Sequence, residues 1–290
     1  MNSERAAWHL RPMRAEDIAD AETIRHLVGW NQTEADWRRL LALAPDGCFV
    51  AEAAGVPAGT VTTTSFASRL GWIGMLLVHP DQRRQGIGGA LLQRAMQHLQ
   101  GAGVGCIALD ATPAGQPLYA GAGFVPVWEL ARWQGDVSAL LPLPGPGLLT
   151  EIPDGVWPAL VELDRRAFGV ARPGLLHALA EQSKRVAVAL DGAGNLRGFG
   201  MLRQGTRAQM LGPLVAVDTE TAAHLLAALC AGLLSAAIFW DIPAPNLAAG
   251  ALAQSLGFVR QRTLTRMAWG ANYPTHDPGL LYAVADLATG

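Results

Sequence analysis

The sequence predicts an α/β chain built of two tandem units, and three observations carry that prediction. Short apolar or β-branched runs alternate with helical patterns twice along 290 residues, more chain than one typical domain takes. A connector, GDVSALLPLPGPG from Gly135 to Gly147, is rich in Pro and Gly and has neither a helical nor a strand period. Leu109-Asp110 leads to Gly123-Phe124-Val125, and Trp240-Asp241 leads to Gly257-Phe258-Val259, each through a Pro-containing turn and a short Ala-rich helix. That repeat is far too long for a solenoid. The expected division is residues 1–137, a linker at 138–147, and residues 148–290.

In the first unit, Trp8 to Met13 alternate as a strand does, and Ala15-Glu16-Asp17 open a helix continuing toward Leu27. Thr33 is placed to cap a second helix running to Leu43, with Asp36 closing an approximate capping box. Cys48–Glu52 and Thr60–Phe66 read as β-branched strands around the turn Ala54-Gly55-Val56-Pro57, and Trp72 to Val78 follow as a third. A helix from Ile87 to Leu99 turns Ile87, Leu91, Ala95 and Leu99 to one side and ends at Gly101 to Gly103. Cys106–Leu109 are a buried strand with Asp110 at its end, and Trp128–Trp133 are expected to close the unit.

Beyond the connector the pattern restarts. Leu149–Ile152 read as a short strand, Val161–Phe168 and Gly174–Gln182 as helices, and Arg185–Leu190 and Arg197–Gln204 as strands. Leu225 to Trp240 is uncharged over 16 residues, shorter than the ~20 of a bilayer span. Gly232 and Ser235 divide it, so we expect a buried helix followed by a buried strand and no membrane partner.

Composition narrows the function. Half of the residues are apolar and 16% are charged, ample for packed cores. A formal net charge of −2, with no long basic run, does not suit a nucleic-acid backbone. Cys48, Cys106 and Cys230 are odd in number and far apart, with no C-x-x-C and no His cluster at metal spacing, which suggests a reduced, cytoplasmic compartment and no metal. The start, MNSERAAWHLRP, lacks the apolar core of a signal peptide.

One stretch carries chemistry. Met75–Val78 form an apolar run, His79-Pro80 stops it, and a basic Gly-containing turn from Asp81 to Gly89 feeds the helix. Gly86, Gly88 and Gly89 let several N–H groups at a helix N-terminus converge on one anion, with Arg83 and Arg84 beside them. The physical reading is a phosphate or pyrophosphate cradle. A Walker loop fails, because no Lys-Ser/Thr follows these glycines. A dinucleotide fingerprint gains from Asp110, roughly 20 residues on. It loses because position 91 is Leu91 rather than Gly and seven residues, His79 to Gln85, separate strand from glycine.

Arg83-Arg84-Gln85-Gly86-Ile87-Gly88, following Leu76-Leu77-Val78-His79-Pro80, resembles the R/Q-x-x-G-x-G/A signature of the GNAT (GCN5-related N-acetyltransferase) superfamily. A second match lies downstream, where Tyr119 precedes Gly123-Phe124 at the family's spacing. The resemblance implies two GNAT-like domains, each a mixed, mostly antiparallel twisted sheet flanked by helices. It further implies acetyl-CoA as cofactor, its pyrophosphate on the loop from Arg83 through Gln85 to Gly89. Pantetheine would run along Leu76, Leu77 and Val78 as an extra strand, near Thr112 and Tyr119. The family's Asn near the start of this segment has no counterpart, and Thr112 or Gln116 stands there instead.

The implied reaction is direct attack of a small-molecule amine on the thioester, with N–H groups near Leu76 polarising the carbonyl. Tyr119 is either the acid that protonates the departing thiolate or a core residue beneath the cofactor. Trp30 and Asn31, in the region that covers the acceptor in GNAT folds, are either substrate contacts or packing. Asp110, Glu129 and His79 lie near the expected site as candidate bases, and the nine Trp residues offer material for a cation-binding wall.

The second unit parallels the strand at Gly212–Val217 but continues into Asp218-Thr219-Glu220-Thr221, acids where Arg and Gly stood. Such a terminus repels pyrophosphate, so no acyl-CoA is expected there. With Asp241-Ile-Pro-Ala-Pro-Asn246 it resembles the degenerate C-terminal domain of tandem GNAT proteins of the bacterial YitH-like group. Its expected task is to shape the acceptor pocket. The alternatives are a non-catalytic acyl-CoA sensor and a dinucleotide-dependent oxidoreductase.

Overall fold

The computed structural model describes residues 8–136, 145, 147–233 and 236–290, so most of the expected linker, the first seven residues and Ser235 lie outside the described residues. In the first half, β1 (Trp8–Pro12) is followed by α1 (Ile18–Leu27) and α2 (Glu34–Leu43). The capping box forms as read, with the Asp36 carboxylate accepting from the Thr33 N–H at 2.7 Å. Strands β2 (Cys48–Ala53), β3 (Val56–Phe66) and β4 (Leu70–Val78) form an antiparallel meander that β1 extends. Helix α3 (Ile87–Gly101) leads to β5 (Cys106–Ala111), α4 (Gln116–Gly121) and β6 (Val125–Asp136).

The second half repeats the plan with β7 (Leu148–Leu149), α5 (Trp157–Phe168), α6 (Pro173–Gln182), β8 (Ser183–Leu190), β9 (Leu196–Arg203) and β10 (Gln209–Ala216). Helix α7 (Thr219–Cys230) and β11 (Ala237–Pro243) divide the long apolar stretch into helix then strand. Helix α8 (Leu247–Ser255), β12 (Val259–Gly270) and β13 (Leu281–Ala283) complete it. Among the described residues no helix is long and apolar enough to cross a membrane.

The sheets of the two halves join into one mixed, mostly antiparallel sheet, in the order β1-β2-β3-β4-β5-β12-β6-β11-β10-β9-β8-β7, with β13 against β10. Trp128–Trp133 does lie in a strand, but β6 does not close its own unit. It pairs with β11 and β12, and β12 takes its place beside β5. Two buried ion pairs explain the exchange. Asp110 on β5 receives Arg266 of β12 through two bonds of 2.9 Å. Asp241 on β11 receives Arg132 of β6 at 2.8 and 2.7 Å. The repeated aspartate of each half is thus met by an arginine from the other half's last strand.

Helices cover both faces. Helix α3 packs on β2 to β4 and α7 on β8 to β10. The largest apolar core mixes the halves, joining Leu70, Trp72 and Ala108 to Leu160, Phe168 and Phe199. A body with a shared sheet and a shared core is expected to unfold as one. Asp241→Ala strands Arg132 in the interior and should destabilise the whole chain by about 3–5 kcal/mol. Denaturant unfolding should show a lower midpoint and still a single transition, and a second transition would contradict the shared fold.

Candidate active site

The site begins where β4 and β5 part. They pair in parallel only at Leu70↔Cys106, Gly71↔Ile107 and Trp72↔Ala108. Beyond that, Met75 takes a left-handed φ of 47° and the register with β3 shifts. Thr60 Oγ1 donates to the Met75 carbonyl at 2.8 Å and holds the bulge. A bulge re-aims its strand, so the stretch from Leu76 to Val78 faces an open cleft of about 560 Å³. An extended arm with its own amides and carbonyls can lie along such an edge.

The mouth of the cleft is the N-terminus of α3. Gly86, its N-cap, sits at φ 86°, a conformation that favours glycine, and no side chain caps the helix. The N–H groups of the first turn are therefore available to an anion. Arg83 and Arg84 are exposed beside it, and among the described residues neither is paired with a carboxylate. A methyl group at Gly88 would meet nothing closer than Val78 Cγ2 at 3.6 Å. Folding alone would tolerate a side chain there, and what the bare backbone provides is room for a ligand. The fit to a pyrophosphate is good.

Leu76, Leu77, Val78, Arg83, Arg84, Gly86, Ile87, Gly88, Gly89, Thr112, Tyr119 and Trp30 all line this cleft. Gln85 does not; its amide donates to Gln82 and its carbonyl accepts from Trp8 Nε1. Gln116 is committed to Thr265 Oγ1 at 2.7 Å, leaving Thr112 as the polar residue on the cleft wall. Asn31 is not in the cleft either. It is buried, its amide nitrogen donates to the Ala208 carbonyl at 3.0 Å, and its oxygen accepts from the N–H groups of Arg207 and Ala208. Asn31 clasps the two halves together.

A constricted cavity of about 20 Å³, room for a water molecule, continues inward from the cleft. Trp30, Leu76, Asp110, Thr112 and Tyr119 line both spaces. Tyr119, on α4, packs edge-on against Phe124, and burial pushes its phenol up to about 12. Asp110 has both oxygens on Arg266, while burial holds its carboxyl above the usual range. Glu129 is exposed and lines neither space, and His79 serves its own turn by accepting from the Asp81 N–H. Of the nine tryptophans only Trp30 lines either space, so no aromatic wall forms.

Gln32, Arg262, Leu264 and Leu287 also line the inner cavity, and no sequence motif marks them. Arg262 and Leu264 arrive on the exchanged β12. Leu287 arrives on the final segment, where its carbonyl accepts from Trp72 Nε1 at 3.2 Å.

The equivalent place in the second half is built differently. Strands β10 and β11 also pair in parallel over three residues, Gln209↔Ile238 to Leu211↔Trp240, and then part. Strand β13 fills the opening by pairing with Leu214 and Val215. The N-terminus of α7 is capped by Asp218, whose carboxylate accepts from the Thr221 N–H at 2.8 Å and pairs with Arg197. These two pairings are the only parallel ones among the described residues, which rules out the doubly wound parallel sheet of a dinucleotide-binding fold.

Comparison with known proteins agrees with this geometry. Residues 13–124 match the "Acetyltransferase (GNAT) family", and residues 160–283 match an "Acetyltransferase (GNAT) domain". YitH of Bacillus subtilis (strain 168), described as an uncharacterized N-acetyltransferase, is 26% identical over 222 residues, 77% of each chain. A putative acetyltransferase from Pyrococcus horikoshii shares the fold with a TM-score of 0.82 at 24% identity, over 98% of this chain and 96% of that one. A tandem GNAT protein of the clavulanic acid biosynthesis pathway shares it with a TM-score of 0.68 at 17% identity, over 92% of this chain and 99% of that one.

Proposed function

This chain belongs to the GNAT superfamily of acyl-CoA-dependent N-acetyltransferases as a tandem member, and on that premise we propose that it moves an acetyl group from acetyl-CoA to the amine of a small molecule. The observation that carries the reading is the continuous path from the uncapped α3 terminus, along Leu76–Val78, to Tyr119 and the inner cavity. In this reading the amides from Arg83 to Gly89 hold the diphosphate, and residues 148–290 form the acceptor side through Arg262, Leu264 and Leu287. The capped α7 and the filled opening beside β10 support a second half without acyl-CoA.

Acetyl-CoA supplies an activated acyl carbon with a thiolate leaving group. The Leu76 N–H, just past the bulge, polarises the thioester carbonyl, the kind of donor whose removal costs about 3 kcal/mol of barrier. The amine forms the new N–C bond as C–S breaks, Tyr119 gives its proton to the departing sulfur, and the proton shed by the new amide nitrogen restores the phenol. A phenol held neutral suits that task. The three cysteines are buried and unpaired, with Cys48 and Cys230 pushed up to about 12. None lines either space, which favours direct transfer over a covalent intermediate. Asp110, the only carboxylate on either lining among the described residues, is held by Arg266, so the ammonium proton leaves to water.

Three outcomes test this. Gly88→Ala should fold with stability unchanged or raised by up to ~1 kcal/mol, yet bind acetyl-CoA about tenfold more weakly by calorimetry; unchanged affinity would remove the cradle. Tyr119→Phe should lower kcat at least about tenfold with acetyl-CoA affinity intact. Since burial raises the phenol, the wild-type kcat should show no alkaline limb below the ordinary tyrosine value of about pH 10. A fall nearer neutrality would assign the proton to another group. Acetyl-CoA binding without thiol release across an amine panel would make the chain a sensor.

A further inference from the structure

Buried arginines in this chain come with carboxylates. Arg39 meets Asp36 and Asp286, Arg132 meets Asp241, Arg172 meets Asp164, and Arg266 meets Asp110, each within 2.9 Å. Arg203 adds two backbone carbonyls to Asp286. Arg262, half-buried on β12, has no such partner among the described residues. Its Nε is closed off from solvent without an acceptor, and among the described residues no carboxylate pairs with it.

Its neighbours make this worse. Arg132 stands opposite in the sheet, already committed to Asp241, and Arg207 shares a second small cavity with both. Burial and these cations lower the Arg262 guanidinium to about 10, which still leaves it charged at neutral pH. A half-buried guanidinium whose Nε is shut off without an acceptor is costly, and here it lines the same cavity as Leu76 and Tyr119. With Asp110 neutralised by Arg266, that lining carries one uncompensated positive charge.

We propose that the acceptor is an amine that also bears a carboxylate, which Arg262 binds while the amino group reaches the thioester beside Leu76 and Tyr119. The inference rests on the acyltransferase reading and adds the substrate class. One planar guanidinium with no lysine beside it suits a carboxylate, which it can meet through two parallel bonds. A polyamine meets only repulsion here.

The test uses the full chain and the common L-amino acids, each beside the amine that lacks its carboxylate, together with aminoalkyl phosphates. Thiol release with acetyl-CoA, calorimetry of each probe without acetyl-CoA, and calorimetry of acetyl-CoA alone are read for wild type, Arg262→Met and Arg262→Lys. At least one carboxylate acceptor should exceed its decarboxylated partner about tenfold in kcat/KM, and Arg262→Met should erase that preference through KM, with partial rescue by Arg262→Lys. Acetyl-CoA affinity should not change. Arg262→Met should also raise Tm, since it removes a half-buried guanidinium whose Nε has no acceptor. Equal kcat/KM within every pair, a preference for the phosphates, or a fall in Tm with unaltered KM overturns the proposal. If acetyl-CoA gives no heat, the acyltransferase reading fails separately. Probe calorimetry then decides: carboxylate binding lost in Arg262→Met supports the site, and no binding overturns it.

Discussion

Two crossed ion pairs, Arg266 with Asp110 and Arg132 with Asp241, fix how this chain is put together. Arg266 is held from every side. Its guanidinium lies 4.5 Å from the Trp72 ring and 4.1 Å from that of Trp128, and it donates to Tyr273. A strand so anchored cannot slip by one residue without turning its charges toward the apolar face. Because β12 is locked beside β5, Arg262 and Leu264, on the same strand, reach the inner cavity of the first half. The pairs therefore set the position of residues that carry no charge partner themselves.

The two halves share a plan and differ at one physical point. In each, a parallel pairing of three residues opens into a wedge beside a helix N-terminus. In the first half the helix begins at Gly86 with no side-chain cap; in the second the Asp218 carboxylate caps it by accepting from the Thr221 N–H. The first wedge stays open as a cleft, while in the second β13 lies along the strand. The second half has, in effect, bound part of its own chain where the first leaves space.

Much of this was legible in the sequence because it is local. A glycine turn after a strand, the Thr33–Asp36 box and the division of Leu225–Trp240 into helix and strand all depend on residues near one another. The glycine turn and Tyr119 are likewise local features, and both line one cleft. Strand exchange could not be read, since the repeat itself suggests that each half closes on its own. Asn31 looked like a substrate contact because position in the chain says nothing of a loop 177 residues away that occupies its amide. Arg262 sits in an ordinary alternating strand, and its isolation appears only when the buried arginines have been matched with their partners.

The interleaving of β6 and β12 also bears on how such a protein can diverge. Were the front half of one homologue spliced to the rear half of another, each would receive a foreign strand at its centre, with a mismatched guanidinium or aspartate in the interior. A splice at the connector keeps the interior neutral only if both partners carry the same crossed Arg–Asp pairs. Changes at Arg262, Leu264 or Leu287 would reshape the inner cavity and leave the glycine turn before α3 untouched.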